Sequence, residues 1–552
     1  MTRLDNNEHS ETNILINQLK KLSPFELKDK LIDLAMESEK KGIDMFLNAG
    51  RGNPNWTAST PREAFFTLGH FAVYQSKKYW CENDLAGMPS KNGIYDRYKE
   101  YAASHRKEPG IDLLNDIIDY GITEHDFNPD EWVFELTDGI IGDNYPVPDR
   151  MLRKIEIIVH DYLTRELGAT PHSNTIYDLF AVEGGTAAMC YIFDSLMANH
   201  LLRKGSHIAI MVPIFTPYLE IPALSRYSFN VTKIFAGELT EEGRHTWQYP
   251  KEELDKLADP NIRLLCIVNP SNPPSVALNK ESMDYIEKIV HEKNPNLMIV
   301  TDDVYGTFVD NFKSLMVTMP YNTIGVYSFS KYFGCTGWRL GTIALAKENI
   351  FNELIRTLPI EAKDDLLQRY GSITTDPESI SFIDRIVADS RQVALNHTAG
   401  LSTPQQVQMA IFSIFALLDK NNIYKKQTKD ICLRRKKLIY DSLSGLPMKE
   451  NDIYSSSYYN EHDLLVWARI KHGEEFAKYL HDQRNPLEFL FKLAKRYKII
   501  LLNGEGFDGP TWSIRVSLAN LDDEQYTLIG KAINTLFEEY EDDWEEYKKN
   551  NQ

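Results

Sequence analysis

The amino-acid sequence predicts an α/β fold, a mostly parallel sheet flanked by helices, within a chain of more than one folding unit. Three observations predict it. Between about residues 140 and 400, short apolar runs (His207–Val212, Leu264–Val268, Leu297–Thr301 and Ile324–Ser328) alternate with helical segments. Each run is rich in apolar and β-branched residues and ends in turn formers, as strands buried on both faces of a parallel sheet do. The chain has 552 residues, 43% apolar and 25% charged, the composition of an ordinary globular protein. That length exceeds a single domain of roughly 150 residues.

Ser23-Pro24 opens an amphipathic helix expected over residues 24–41, a cap followed by proline at the first helical position. A loop rich in Asn, Gly and Pro, Asn48–Asn55, comes next, and a mostly helical region over about 62–135. Beyond the alternating segment, two helices are expected over Gln405 to about Asp419 and Lys425 to about Leu443, the second stopped by Gly445 and Pro447. Tyr497–Leu502 and Ser513–Val516 read as strands, and the acidic run Phe537–Tyr547 as a solvated helix end.

Lys and Arg total 61 against 79 Asp and Glu, a net charge of −18. A field of that sign repels phosphate backbones and anionic membranes, which argues against nucleic acid or membrane partners. Met1–Ser23 has no apolar core of signal-peptide length, and the most apolar stretch, His207–Leu224, is short and interrupted by three prolines. The five cysteines lie far apart without C-x-x-C spacing, so neither a disulfide framework nor a metal site is implied. A cytoplasmic protein is expected.

The strongest chemical signal is Ser328-Phe329-Ser330-Lys331-Tyr332-Phe333-Gly334-Cys335-Thr336-Gly337-Trp338-Arg339-Leu340-Gly341. A lysine directly after a buried strand, with an arginine eight residues on, reads either as a loop lysine with a structural arginine or as a Schiff-base lysine beside a phosphate-gripping arginine. Three other strand-end loops supply what pyridoxal 5′-phosphate (PLP) needs. Glu183-Gly184-Gly185-Thr186-Ala187 precedes a helix, so bare N–H groups and the Thr186 hydroxyl can cradle a phosphate. Asn269-Pro270-Ser271-Asn272 offers the Asn272 amide to the phenolic oxygen of the cofactor. In Asp302-Asp303-Val304-Tyr305 a carboxylate can keep the pyridine nitrogen protonated, and the tyrosine can reach the same phenolic oxygen.

In this motif order the chain resembles the fold-type I PLP enzymes of the aspartate aminotransferase superfamily, from about residue 45 to about 535. The resemblance implies roles residue by residue. Gly185 and Thr186 match the phosphate loop, and Phe215 takes the place of the aromatic stacked on the ring. Asn272, Asp302 and Tyr305 match the ring contacts; Ser328, Lys331 and Arg339 match the phosphate serine, the Schiff-base lysine and the phosphate arginine. Arg515, in Trp512-Ser513-Ile514-Arg515-Val516-Ser517, matches the clamp on the substrate α-carboxylate. Tyr145, in Asn144-Tyr145-Pro146, matches the tyrosine that reaches the phosphate in the neighbouring subunit. Gly504-Glu505-Gly506-Phe507-Asp508-Gly509 spells G-x-G-x-x-G, but Pro510 and a strand follow where a dinucleotide fingerprint needs a helix.

The chain is longer than a typical aminotransferase of this superfamily, with the surplus in residues 60–140 and near 355–385. The segments Leu47–Asn55, Phe180–Met189, Asn269–Val276 and Ala394–Gln408 resemble the aspartate 4-decarboxylase branch. That branch implies β-decarboxylation of L-aspartate to L-alanine and CO2 through a ketimine, with aspartate transamination as a side activity. The rival is an aspartate aminotransferase with minor decarboxylation. A PLP-sensing regulator would carry a basic DNA-binding domain, which this acidic chain lacks. Arg51, in the loop bordering the site in this family, is the candidate for orienting the substrate's side-chain carboxylate, with Lys28 as a second candidate. His397 reads more simply as a structural histidine. The implied architecture is an N-terminal helix and loop (1–60), a helical insertion (61–138), a large PLP-binding domain (139–404), and a connecting helix with the rest of a smaller α+β domain (405–552). A homodimer at least is implied, and for the decarboxylase branch a dodecamer.

Overall fold

The computed structural model describes residues 22–37, 46–169, 174–391, 400–448 and 452–551. His397 and part of the Ala394–Gln408 segment lie outside them. Helix α1 (Pro24–Glu37) buries Leu27, Leu31 and Ala35, one face at helical spacing, and the short strand β1 (Leu47–Asn48) follows. Four helices then pack together: α2 (Ser59–Tyr79), α3 (Ile94–Ser104), α4 (Ile111–His125) and α5 (Pro129–Ile141), with a two-strand hairpin at 81–86. α5 starts where its pattern says it should, with Asn128 accepting from Glu131 N and Pro129 at the first position.

Helix α6 (Arg153–Glu166) leads into the central sheet, built from β2 (Tyr177–Val182), β3 (His207–Val212), β4 (Asn230–Phe235), β5 (Ile262–Val268), β6 (Met298–Asp302), β7 (Thr323–Ser328) and β8 (Gly341–Ala346). The seven strands run in the order β2-β8-β7-β6-β5-β3-β4, all parallel except β8 against β2 and β7. The mostly parallel α/β fold is as the sequence implies. β3, β5, β6 and β7 coincide with the four apolar runs, while β2, β4 and β8 are additions. β3 shows why such runs are continuous: Ile208, Ile210 and Val212 enter one core with Met189, Ile192 and Phe193, whereas Ala209 and Met211 enter another with Ile286, Ile289 and Val290. Each large aliphatic side chain buried in these layers contributes about 1.5–3 kcal/mol before entropy is counted.

Helices α7 (Gly185–Ala198), α8 (Thr403–Leu418) and α9 (Ile423–Tyr440) follow in chain order. A second, antiparallel sheet holds β9 (Tyr459–Asp463), β11 (Leu502–Asn503) and β12 (Ser513–Ser517), with β12 central. The single strand expected over Tyr497–Leu502 is corrected. Leu493–Tyr497 is a wide helical turn, Lys498 sits at φ 58°, and that left-handed residue turns the chain into β10 (Ile499–Ile500), which pairs with β1, before β11 joins the other sheet. The acidic terminal run is corrected too. Within α10 (Asp523–Asn550), Phe537, Tyr540 and Trp544 form a buried stripe, Phe537 stacks on Trp467 at 3.8 Å, and Glu541 is largely buried against Lys471 and His472, so only part of the run is solvated. Among the described residues no helix is long and apolar enough to cross a membrane, and all five cysteines are free.

Candidate active site

The parallel strands deliver their C-terminal ends to one edge of the sheet, the place where open α/β sheets bind ligands. Asp302 is the last residue of β6, Asn272 follows β5, Phe215 follows β3, and Lys331 lies in the turn after β7. Because β8 runs the other way, its first residue, Gly341, pairs with both Val182 and Ser328 and brings Arg339 to that same edge. A cavity of about 220 Å³ opens there. It is lined by Gly185, Thr186, Phe215, Asn272, Asp302, Tyr305, Ser328, Lys331, Arg339 and Arg515, together with Phe25, Gly52 and Tyr459.

One end of the cavity is rich in donors. Gly185 and Thr186 begin the 14-residue helix α7, whose first N–H groups have no helical partner. Gly184, at φ 89°, permits the approach of Arg339: a Cβ there would lie 2.4 Å from Arg339 Nη2. Arg339 is fixed by its bonds from Nη2 to Glu183 O and from Nη1 to Thr336 O, both 3.0 Å. Ser328 Oγ donates to Ser330 Oγ at 3.0 Å, which adds two hydroxyls to the group.

Another part holds a lone acid. Burial pushes the Asp302 carboxyl up to about 6, and the Val304 N–H, the Lys331 charge and the Tyr218 hydroxyl only partly oppose it. Such a carboxyl gains most from a further cation. Lys331 Nζ donates to Gly52 O at 3.0 Å, and Tyr458 Oη donates to the same carbonyl at 2.7 Å. Arg515 is 1% exposed in the middle of β12. Its Nη1 donates to Asn272 Oδ1 at 3.1 Å and its Nη2 to Gly50 O at 2.8 Å, while Nε has no partner among the described residues. The guanidinium lies 4.3 Å from the Tyr459 ring centroid and 4.9 Å from that of Phe507.

These residues fit PLP. The donor cluster of Gly185, Thr186, Ser328, Ser330 and Arg339 suits a phosphate dianion, the buried Asp302 suits a protonated ring nitrogen, and the Lys331 amine stands in the same cavity.

Three expected residues do not line this cavity. Tyr145 is exposed in the loop after α5. Arg51 is exposed although its neighbours Gly50 and Gly52 accept bonds from Arg515 and Lys331. Lys28 pairs with Asp29 at 3.3 Å and lies 5.7 Å from the Phe25 ring centroid, so Phe25 rather than Lys28 is what α1 brings to the cavity. Sequence reasoning missed Phe25, Tyr458 and Tyr459. No strand pattern marked Tyr459, the first residue of β9; its Oη lies 2.9 Å from Tyr305 Oη.

Comparison with known proteins agrees. The family model "Aminotransferase class I and II" matches residues 181–533. The chain is 47% identical over 534 residues, 96% of its length and 98% of the relative's, to the bifunctional aspartate aminotransferase and L-aspartate beta-decarboxylase of a Pseudomonas species. Among solved structures, a single mutant of Thermus thermophilus aspartate aminotransferase matches with a TM-score of 0.58 at 15% identity, covering 93% of this chain and 97% of that one. The aspartate aminotransferase of Rhizobium meliloti matches at 0.57 and 14%, covering 94% and 97%. At those identities the structures speak for the fold alone. The near full-length relative and the span of the family model together place the chain in the class I and II aminotransferase family, whose members are PLP-dependent.

Proposed function

We propose that this chain β-decarboxylates L-aspartate to L-alanine and CO2 with PLP held by Lys331, and that it transaminates aspartate as a side activity. The observation that carries the reading is the meeting of Lys331, Asp302 and Arg515 in one cavity, supported by a relative at 47% identity whose name bears both activities.

When bound, PLP supplies an electron sink for the bond that breaks. The chain's own groups do the rest. Gly185, Thr186, Ser328 and Arg339 hold the phosphate, Asp302 the ring nitrogen, and Asn272 and Tyr305 the phenolic oxygen. Arg515 binds the substrate's α-carboxylate, its planar fork fixed from behind by Gly50 O. With PLP in place, the Lys331 amine would move protons at the substrate's α-carbon. Arg51 orients the side-chain carboxylate from the loop between Gly50 and Gly52. Leaving that carboxylate poorly solvated favours loss of CO2, because its charge disperses as the bond breaks.

We also assign residues 1–60 and 405–552 to a smaller lobe, 139–404 to the large lobe and 61–138 to a helical insertion. The pairing of β1 with β10 supports joining the two chain ends. A cytoplasmic homo-oligomer, a dimer at least, is part of the same reading, with Tyr145 serving a neighbouring subunit.

Purified enzyme given L-aspartate alone tests the reading. Alanine and CO2 released in equal amounts over many turnovers, with no keto-acid acceptor added, are expected. A single turnover of keto acid followed by arrest would assign the chain to transamination instead.

A further inference from the structure

Behind β9 lies a second cavity, of about 110 Å³. About a tenth of that volume suffices for one water, so there is room for a small anion. Alternation along β9 separates the two sites. Tyr459 and Glu461 face Arg515, the latter in register with it, while Asn460 and His462 face the other way, into the second cavity, which Glu461 also borders.

The polar groups around this cavity are unevenly satisfied. Most of its acceptors are engaged: Asp463 takes the N–H groups of Leu465 and Val466 and lies 2.9 Å from His245 Nε2, and Asp452 accepts from Tyr454 N, while Glu461 Oε2 and His245 Nδ1 have no partner among the described residues. Two nitrogens on β9 are also unpaired. Asn460 Nδ2 and His462 Nε2, on side chains of residues 6% and 4% exposed, have no partner among the described residues. Leaving such groups unpaired costs about 1–3 kcal/mol each. Positive charge stands beside them. Arg244 lines the cavity with Nη1 on Pro447 O at 2.8 Å, and burial, aided by the Lys436 ammonium, holds His462 down at about 3, so its imidazole is neutral with one N–H that either ring nitrogen can carry. An idle amide donor at Asn460, an unpaired ring nitrogen at His462 that can take the donor tautomer, and two cations describe an anion site.

We propose that this cavity is a second binding site, for a small carboxylate or phosphate anion, and that its occupation is coupled to Arg515 through β9. An anion drawing Asn460 and His462 together acts on the strand whose other face carries the Tyr459 ring beneath the Arg515 guanidinium. The coupling rests on Arg515 as the substrate clamp; the binding does not.

The test titrates the holoenzyme by calorimetry with inorganic phosphate and, separately, with acetate, at ionic strength held constant by chloride. Saturable binding of either probe is expected, and the probe that binds identifies the source as phosphate or a carboxylate metabolite. Binding should weaken at least about tenfold in the double variant Arg244→Gln, Lys436→Gln. Trp247, stacked on His245 at 4.3 Å, should report the same event by a fluorescence change in the otherwise unaltered enzyme that Trp247→Phe removes. The KM for L-aspartate should shift about fivefold with the anion in wild type and not in the double variant. Absence of saturable binding, or equal binding in the double variant, overturns the site. Binding with an unmoved KM, or a KM shift that persists in the double variant, overturns the coupling. Failure of the decarboxylase reading would leave the calorimetric result standing.

Discussion

Arg515 Nη1 donates a 3.1 Å hydrogen bond to Asn272 Oδ1, which ties the second sheet to the loop after β5. The residue assigned to the substrate carboxylate therefore takes its aim from a residue assigned to the cofactor ring. Gly50 O, bonded to Nη2 at 2.8 Å, brings in the N-terminal loop as a third party. A guanidinium satisfies both acceptors and still offers Nε to a ligand; an ammonium has neither the spread nor the plane.

Arg515→Lys is accordingly expected to raise the KM for L-aspartate about 10- to 100-fold, the worth of one lost charge-assisted hydrogen bond of about 1.5–3 kcal/mol. Steady-state kinetics read it directly. A KM within about twofold of wild type would remove Arg515 from the substrate.

Lys331→Ala is expected to abolish the visible absorbance band of a lysine-bound cofactor and to lower turnover at least about 100-fold, the scale of a lost general base. The fold should survive, because the amine's hydrogen bond is to Gly52 O, and Tyr458 Oη holds that carbonyl at 2.7 Å. A spectrum unchanged from wild type would end the PLP reading.

Much of the site was legible because its residues follow strands that are loudly apolar. β3, β5, β6 and β7 announce themselves, so Asn272, Asp302 and Lys331 are placed at strand ends by the sequence itself, and Phe215 through the family resemblance. β9 could not. Its residues, Tyr459-Asn460-Glu461-His462-Asp463, are mostly poor strand formers, and the strand exists because β12 and the surrounding core bury it. Tyr459 and the second cavity were hidden with it. Phe25 was hidden for another reason: α1 is recognisable as amphipathic, but nothing in its period says that one aromatic on it meets Phe215 at 6.3 Å, some 190 residues away.

Glu461 yields a pH prediction. Burial pushes its carboxyl from 4.5 up to about 8, with Asp463 adding to the rise and Ser513 and Arg515 opposing it. The folded state then holds the proton more tightly than the unfolded chain. Stability from this group is full below about pH 4.5 and is lost as pH rises through 8. Glu461→Gln keeps an acceptor for Ser513 Oγ, 2.8 Å away, without the charge. Its Tm relative to wild type should therefore climb between about pH 5 and pH 9. Parallel Tm curves over that range would show that Glu461 is ionised in the fold.

The role proposed for Arg51 separates the two reactions. The carbonyls on either side of it are pinned, Gly50 O by Arg515 and Gly52 O by Lys331 and Tyr458, yet its own side chain is exposed. Arg51→Ala leaves those backbone bonds in place, so the clamp and the amine keep their positions and proton transfer at the α-carbon should continue. What it removes is a positive charge next to Gly52, which lines the cavity, and in the proposed reading that charge serves only the side-chain carboxylate. Decarboxylation should fall more than transamination, and the ratio of alanine to keto acid formed from L-aspartate should drop about tenfold, the effect of about 1.4 kcal/mol on one of two competing paths. An equal fall in both products would make Arg51 a binding group without influence on the partition, and no fall in either would return it to the loop surface.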